Sequence, residues 1–122
     1  MSMHEMQCRA MCKLVTIGAT EAQSSGMVAT MPPNSKLCIT SNIYAVDGSK
    51  ALSTVYKTIC RRIGSAPPTI IESEINRVSF GHGPMKWRRQ CRASGDNIVC
   101  FFAGEDGAQV DWVCHCDAYL SI

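Results

Sequence analysis

No apolar run in this 122-residue chain approaches the roughly 20 residues that a membrane-crossing helix needs. The amino terminus, MSMHEMQC, lacks a basic stretch followed by an apolar one, so it does not read as a secretory leader. GxSxG, HExxH, a Gly-rich phosphate loop and a Cys–His protease signature are all missing, which leaves no motif for a common hydrolase. Neither sign of charge is in excess: 12 Lys and Arg face 10 Asp and Glu, for a net +2. Composition therefore does not advertise nucleic-acid binding, and with 7% aromatics there are few platforms for stacking bases. There is no internal repeat and no low-complexity segment.

Cysteine is what the chain has in surplus, at positions 8, 12, 38, 60, 91, 100, 114 and 116. An even number in a short chain reads as a disulfide framework and an oxidising compartment. This fits the leaderless start if the chain is a mature secreted protein preceded by a start methionine and a few residues added for expression. The alternative is an intracellular protein holding metal through thiolates, but the spacings do not form two metal knuckles. The length suits one domain over residues 1–122, with residues 1–12 a polar segment pinned to the body through Cys8 and Cys12.

Gly48 to Gly64 carries the strongest local pattern. Leu52, Val55, Tyr56, Ile59, Cys60 and Ile63 fall on one stripe of a 3.6-residue helix, with Lys50, Lys57, Arg61 and Arg62 opposite. Asp47 or Ser49 caps its start and Gly64 ends it. Cys60 on the apolar stripe predicts a bridge from this helix into the surface beneath.

The remaining patterns are strands. Lys13–Ala19, a short edge strand at Met27–Met31, and Lys36–Val46 precede the helix; the last places Leu37, Ile39 and Ser41 on one face. Thr69–Phe80 fits a strand or a helix, and is read as a strand. Met85–Ala93 and Ile98–Ala103 flank Ser94-Gly95-Asp96-Asn97, a two-residue hairpin signal that sets Cys91 opposite Cys100 at a non-hydrogen-bonded pair. In the last strand Val110, Trp112, Cys114, Cys116, Ala118, Leu120 and Ile122 alternate without a break. The expected fold is α+β: an antiparallel sheet of about four strands, one main helix on its apolar face, and disulfide staples. The helix would dock on Trp87, Ile98, Cys100, Phe102, Trp112 and Cys114.

Three sites are conceivable. Cys114-His115-Cys116, with Cys8, Cys12, His4 or His82, could hold a metal; but in a strand His115 points away from both cysteines, so no metal site is assigned and disulfides are preferred. Lys86, Arg88, Arg89 and Arg92 form a basic set that could bind an acidic or phosphorylated surface, or serve only to keep a sheet edge soluble. A ribonuclease-like centre would need Glu72 or Glu74 with His82 or His115 and an arginine, residue types that any chain of this size contains. No catalytic residue and no cofactor is assigned.

Cys38, Cys60 on its helix and the terminal Cys114-His115-Cys116 strand resemble the cysteine-rich avirulence effectors of plant-pathogenic fungi, in which disulfides pin a helix to a four-stranded antiparallel sheet. The likeness spans roughly residues 36 to 120 and rests on element order and cysteine placement; Cys8 and Cys12 have no counterpart in it. It implies a non-enzymatic protein secreted into a host, where it binds a host protein, suppresses immunity and is detected by a resistance receptor. The alternative is a secreted toxin or ribonuclease-like hydrolase.

Overall fold

The structure, a computed structural model, describes residues 5–81 and 86–122, with side chains described for 11–23, 29–81 and 86–122. Eight strands run in the order β1 (Glu5–Ile17), β2 (Ala22–Thr30), β3 (Ser35–Asp47), β4 (Lys50–Arg62), β5 (Thr69–Phe80), β6 (Arg88–Ser94), β7 (Asn97–Ala103) and β8 (Gln109–Ser121). No helix occurs among the described residues. Five strands form one antiparallel sheet in the order β1-β8-β3-β4-β5, and three form a second in the order β2-β7-β6. The inner faces of the two sheets share one core, so the protein is a β-sandwich and not the expected α+β fold.

The correction centres on Gly48–Gly64, which is strand β4 and the turn that opens it. Asp47 pairs with Lys50 across Gly48-Ser49, so these two residues make a hairpin turn rather than the start of a helix, and Gly48 takes the positive φ (46°) such turns demand at their first position. Along β4 the buried positions are Leu52, Thr54, Tyr56, Thr58, Cys60 and Arg62, a strict period of two. The helical stripe arose because Val55 and Ile59 sit on the other face, while Thr54 and Thr58, which a helix would expose, fill the core. Thr54, Val55, Thr58 and Ile59 are all β-branched and fit a pleated surface better than a helix. Cys60 is therefore buried on a central strand. No disulfide joins the described cysteines.

The last three strands do not form one meander. β6 and β7 pair as the turn predicts, Ser94 with Asn97 and Cys91 with Cys100. The chain then leaves that sheet through Gly104–Ala108 and enters the other as β8. The crossing is tight: a Cβ on Gly104 would lie 3.0 Å from Val110 Cγ2 and 3.2 Å from Thr16 Oγ1. The six residues expected to receive the helix are all buried, but they belong to both layers and receive each other. Trp112 of β8 meets Phe102 of β7 with ring centroids 5.1 Å apart, and Trp87 at 6.2 Å. Both indole N–H groups are satisfied inside the core, Trp112 donating to Thr16 Oγ1 (2.9 Å) and Trp87 to Glu105 Oε1 (3.2 Å).

The other strand expectations fare better. β3 buries the alternate residues expected of it, β8 does so from Val110 to Cys116 with Ala118 and Leu120 half-buried and Ile122 exposed, and Thr69–Phe80 is a strand. β1 extends beyond Lys13–Ala19 at its amino-terminal side, and β2 is longer than its Met27–Met31 kernel.

Candidate functional site

Two surfaces remain once the core is closed. The outer face of the small sheet carries the basic set, and the sandwich divides it. Arg89 points inward and is buried, as its place among Trp87 and Cys91 requires. Arg92 and Arg88 point outward and converge on Glu21: Arg92 Nη1 lies 2.7 Å from Glu21 Oε2, and Arg88 Nη2 is 3.9 Å from Glu21 Oε1. The Arg92 hydrogen bond holds the Glu21 carboxyl below its ordinary range. Arg92 also covers the Phe101 ring at 4.7 Å. Lys86 is exposed. The structure thus brings Arg88 and Arg92 together around an acid and sends Arg89 elsewhere.

The outer face of the five-stranded sheet is the second surface. Ten of the twelve large apolar side chains exposed among the described residues lie there, all but Ile63 and Ile122. Cross-strand pairing sets them in rows. One row runs Val113, Tyr44, Ser53, Val78 across β8, β3, β4 and β5; the next runs Met11, His115, Asn42, Val55, Ile75. Farther along, Tyr119, Cys38, Ile59 and Ile71 line up. Between the two bands lies a polar row of Asp117, Thr40, Lys57 and Ser73. A shallow depression of about 280 Å³ opens in the first band, lined by Asn42, Tyr44, Ser53, Val55, Val113 and His115, with Ile43 and Thr54 beneath. Tyr44 is 53% exposed, so its ring stands up as one wall.

This face follows directly from β4. Because its inner face is filled by Leu52, Tyr56 and the two threonines, Val55 and Ile59 turn outward, where Ile75 and Ile71 of β5 extend the apolar bands to the sheet edge. At β5 a bulge between the pairs Ser53–Val78 and Val55–Ile75 accommodates Asn76 at a φ of 55°, and this keeps Val78 and Phe80 on the outer side beyond it. Helical spacing places Val55 and Ile59 on one stripe with Tyr56 and Cys60, whereas in the strand they lie on opposite faces. The signal that would have revealed the face is the β-branched content of 54–59 following the Gly48-Ser49 turn.

The catalytic candidates do not converge. His115 is exposed on the outer face, whereas Glu72 and Glu74 pair with Thr58 and Tyr56 on the inner side of β5. Glu72 accepts the Cys91 N–H (2.7 Å) and Glu74 accepts the Thr54 hydroxyl (2.8 Å). A full sheet separates the imidazole from both carboxylates. The metal candidates divide in the same way: Cys114 and Cys116 are buried inside while His115 is outside, and among the described residues no three His, Cys, Asp or Glu side chains are grouped to hold an ion. His4, His82 and the side chain of Cys8 lie outside the described residues. No helix among those residues is long and apolar enough to cross a membrane.

The cysteines sort by face. Cys38 is exposed on the outer side. Cys60, Cys91, Cys100, Cys114 and Cys116 are buried, and Cys12 is half-buried with its Cα facing Cys114 across β1 and β8. Burial pushes the Cys60 and Cys114 thiols up to about 12.

No family model matches the chain, and no curated protein does. Among solved structures it is similar to the crystal structure of the Acinetobacter baumannii phage AM24 tailspike protein, at 9% identity with a TM-score of 0.48. The match covers 97% of this chain and 26% of that one, so the chain spans about a quarter of its length.

Proposed function

We propose that this protein is a non-enzymatic binding module that presents the outer face of its five-stranded sheet to a protein partner. The observation that carries this reading is the concentration of exposed apolar side chains on that one face, in two bands flanking a polar row. Soluble monomers rarely leave contiguous apolar surface of this kind uncovered, and a flat sheet face suits another protein better than a small molecule. The depression beside Tyr44, about 280 Å³, has room for more than one partner side chain, and Asn42, Ser53 and His115 bring polar groups to its lining.

The setting carried over from the sequence is that of a secreted effector acting on a host protein. Its helix-on-sheet premise has gone, and with it the placement of Cys60 on a helix, so cysteine number alone supports that setting. The separation of His115 from Glu72 and Glu74 speaks for binding over ribonuclease-like hydrolysis.

The test is a photo-crosslinking residue placed at Tyr44 in one variant and at Arg88 in another, each incubated with host-tissue extract. The reading expects discrete protein adducts from position 44 and none from position 88. Adducts only from position 88 would move the site to the basic face. In parallel, RNA cleavage by the wild type that disappears in His115→Ala would overturn the non-enzymatic reading.

A further inference from the structure

On the inner side of the small sheet, sulfur surrounds a buried cation. Arg89 is 2% exposed and lies 5.7 Å from the centroid of the Tyr56 ring. Its Nη1 donates to Thr58 Oγ1 and, at 3.3 Å, to Glu72 Oε2, while its Nε and Nη2 find no hydrogen-bond partner. The Thr58 hydroxyl in turn donates to Cys91 Sγ at 3.7 Å. This makes a relay from guanidinium through hydroxyl to sulfur. Buried donors without acceptors are costly, and a negative sulfur nearby is the acceptor this pocket can supply.

Cys91 and Cys100 face each other across β6 and β7, and their sulfurs are in contact at 2.6 Å. The Cys91 N–H points away from β7 to Glu72, which marks the pair as non-hydrogen-bonded, the cross-strand position where opposed Cα atoms come closest and a disulfide can close.

We propose that Cys91 and Cys100 are a redox-active pair in which Cys91 attacks a small-molecule disulfide and Cys100 then closes an intramolecular Cys91–Cys100 disulfide. In the first step the Cys91 thiolate attacks one sulfur of RSSR; a Cys91–SR bond forms, the S–S bond breaks and RS⁻ leaves. In the second, Cys100 passes its proton to that RS⁻ and its sulfur attacks Cys91 Sγ, expelling a second RS⁻ that takes a proton from solvent. Two protein thiols lose two electrons, and one RSSR becomes two RSH. The Cys91 thiol is held below its ordinary range, first by the hydrogen bond with Cys100 and, against the penalty of burial, by Arg89 and Thr58. The Thr58 hydroxyl, itself bound by Arg89, reaches Cys91 Sγ, so Cys91 has the attacking character and Cys100, opposite it on β7, the resolving one. The charged or titratable groups around Cys91 are Arg89 on its own strand, Glu72 on β5, Cys60 on β4, Cys100 on β7 and Cys116 on β8. β6 is the edge strand of its sheet, held on its outer side by the Glu72 side chain, and local opening of that edge would admit the oxidant.

The test uses the full reduced chain in buffers of graded reduced and oxidised glutathione, quenched with acid, alkylated and digested with trypsin and an Asp-directed protease. The tripeptide Gln90-Cys91-Arg92 should appear disulfide-linked to the fragment Asp96–Glu105, which contains Cys100 and none of the other cysteines. Cys100→Ser should stop at a Cys91–glutathione mixed disulfide. Arg89→Met should shift the pH profile of oxidation upward and slow it about threefold at pH 7, because thiolate lost is partly offset by higher nucleophilicity; Arg89→Lys should restore it. Cys91 linked to Cys60 instead, or fully alkylatable in oxidised glutathione while the fold is native, would overturn the proposal. An unchanged pH profile in Arg89→Met would remove Arg89 from it.

Discussion

Raising the pH should destabilise the reduced protein, and the magnitude follows from two thiols. Cys60 and Cys114 are fully buried, and each is pushed by burial from about 9 to about 12. A folded-state pKa above the unfolded one favours the protonated form, so the stability it accompanies is complete below pH 9 and drains away as pH rises toward 12. At pH 10 the unfolded chain has ionised both thiols and the folded chain neither. The difference is about 1.4 kcal/mol for each, or about 3 kcal/mol together, against a total of roughly 5–15 kcal/mol for a domain. Urea unfolding at pH 8 and pH 10, in a phosphine reductant, should show the midpoint falling by about 1–2 M. The Tyr56 phenol, raised chiefly by burial, pulls the same way, so the diagnostic is the Cys60→Ala/Cys114→Ala variant. That variant starts less stable because of the cavities it leaves, but should lose about 3 kcal/mol less between the two pH values. An equal loss in wild type and variant would refute the thiol explanation.

Other outcomes bear on the sandwich itself. Thr58→Ala should destabilise the protein by about 1–3 kcal/mol, since it strips the buried acceptor of Arg89; on a helix surface the same change would be neutral or stabilising. Arg62 threads between the layers, donating to the carbonyls of Met31 and Ala66 and pairing with Asp96 at 2.9 Å, so Arg62→Ala should cost about 2–4 kcal/mol in chemical denaturation. Trp112→Ala, which empties the contact between the two sheets, should cost about 3–5 kcal/mol and abolish the near-ultraviolet circular dichroism of the indole pair.

How much of this could be read beforehand depended on whether a segment's pattern had one interpretation or two. β3, the Ser94–Asn97 turn and β8 bury one face and expose the other, and their period-two alternation is plain in the residues. β4 has apolar residues on both faces and threonines in the core, which mimics a helical stripe over the twelve residues from Leu52 to Ile63; only the Gly48-Ser49 turn and the β-branched content argued otherwise. The two-layer arrangement was hidden for another reason. Strands adjacent in sequence usually pair, but Gly104–Ala108 carries the chain from one sheet to the other, and nothing local in GEDGA distinguishes a crossing from a hairpin. The outer apolar face depended on both of these and could not be read until β4 was known to be a strand. The Arg89 cluster was legible only as an oddity, one basic residue on an apolar face; its partners Thr58 and Glu72 come from strands far off in sequence.

The central claim is that the outer face of the five-stranded sheet is where a partner docks. It is tested most directly by titrating a host protein captured through Tyr44 against wild type, Val55→Lys and Arg88→Glu by calorimetry. A lysine set in the floor of the apolar band should weaken binding at least about 100-fold, and Arg88→Glu on the other sheet should leave it unchanged. Unaltered affinity in Val55→Lys together with a large loss in Arg88→Glu would place the interface on the opposite side of the sandwich and contradict the account.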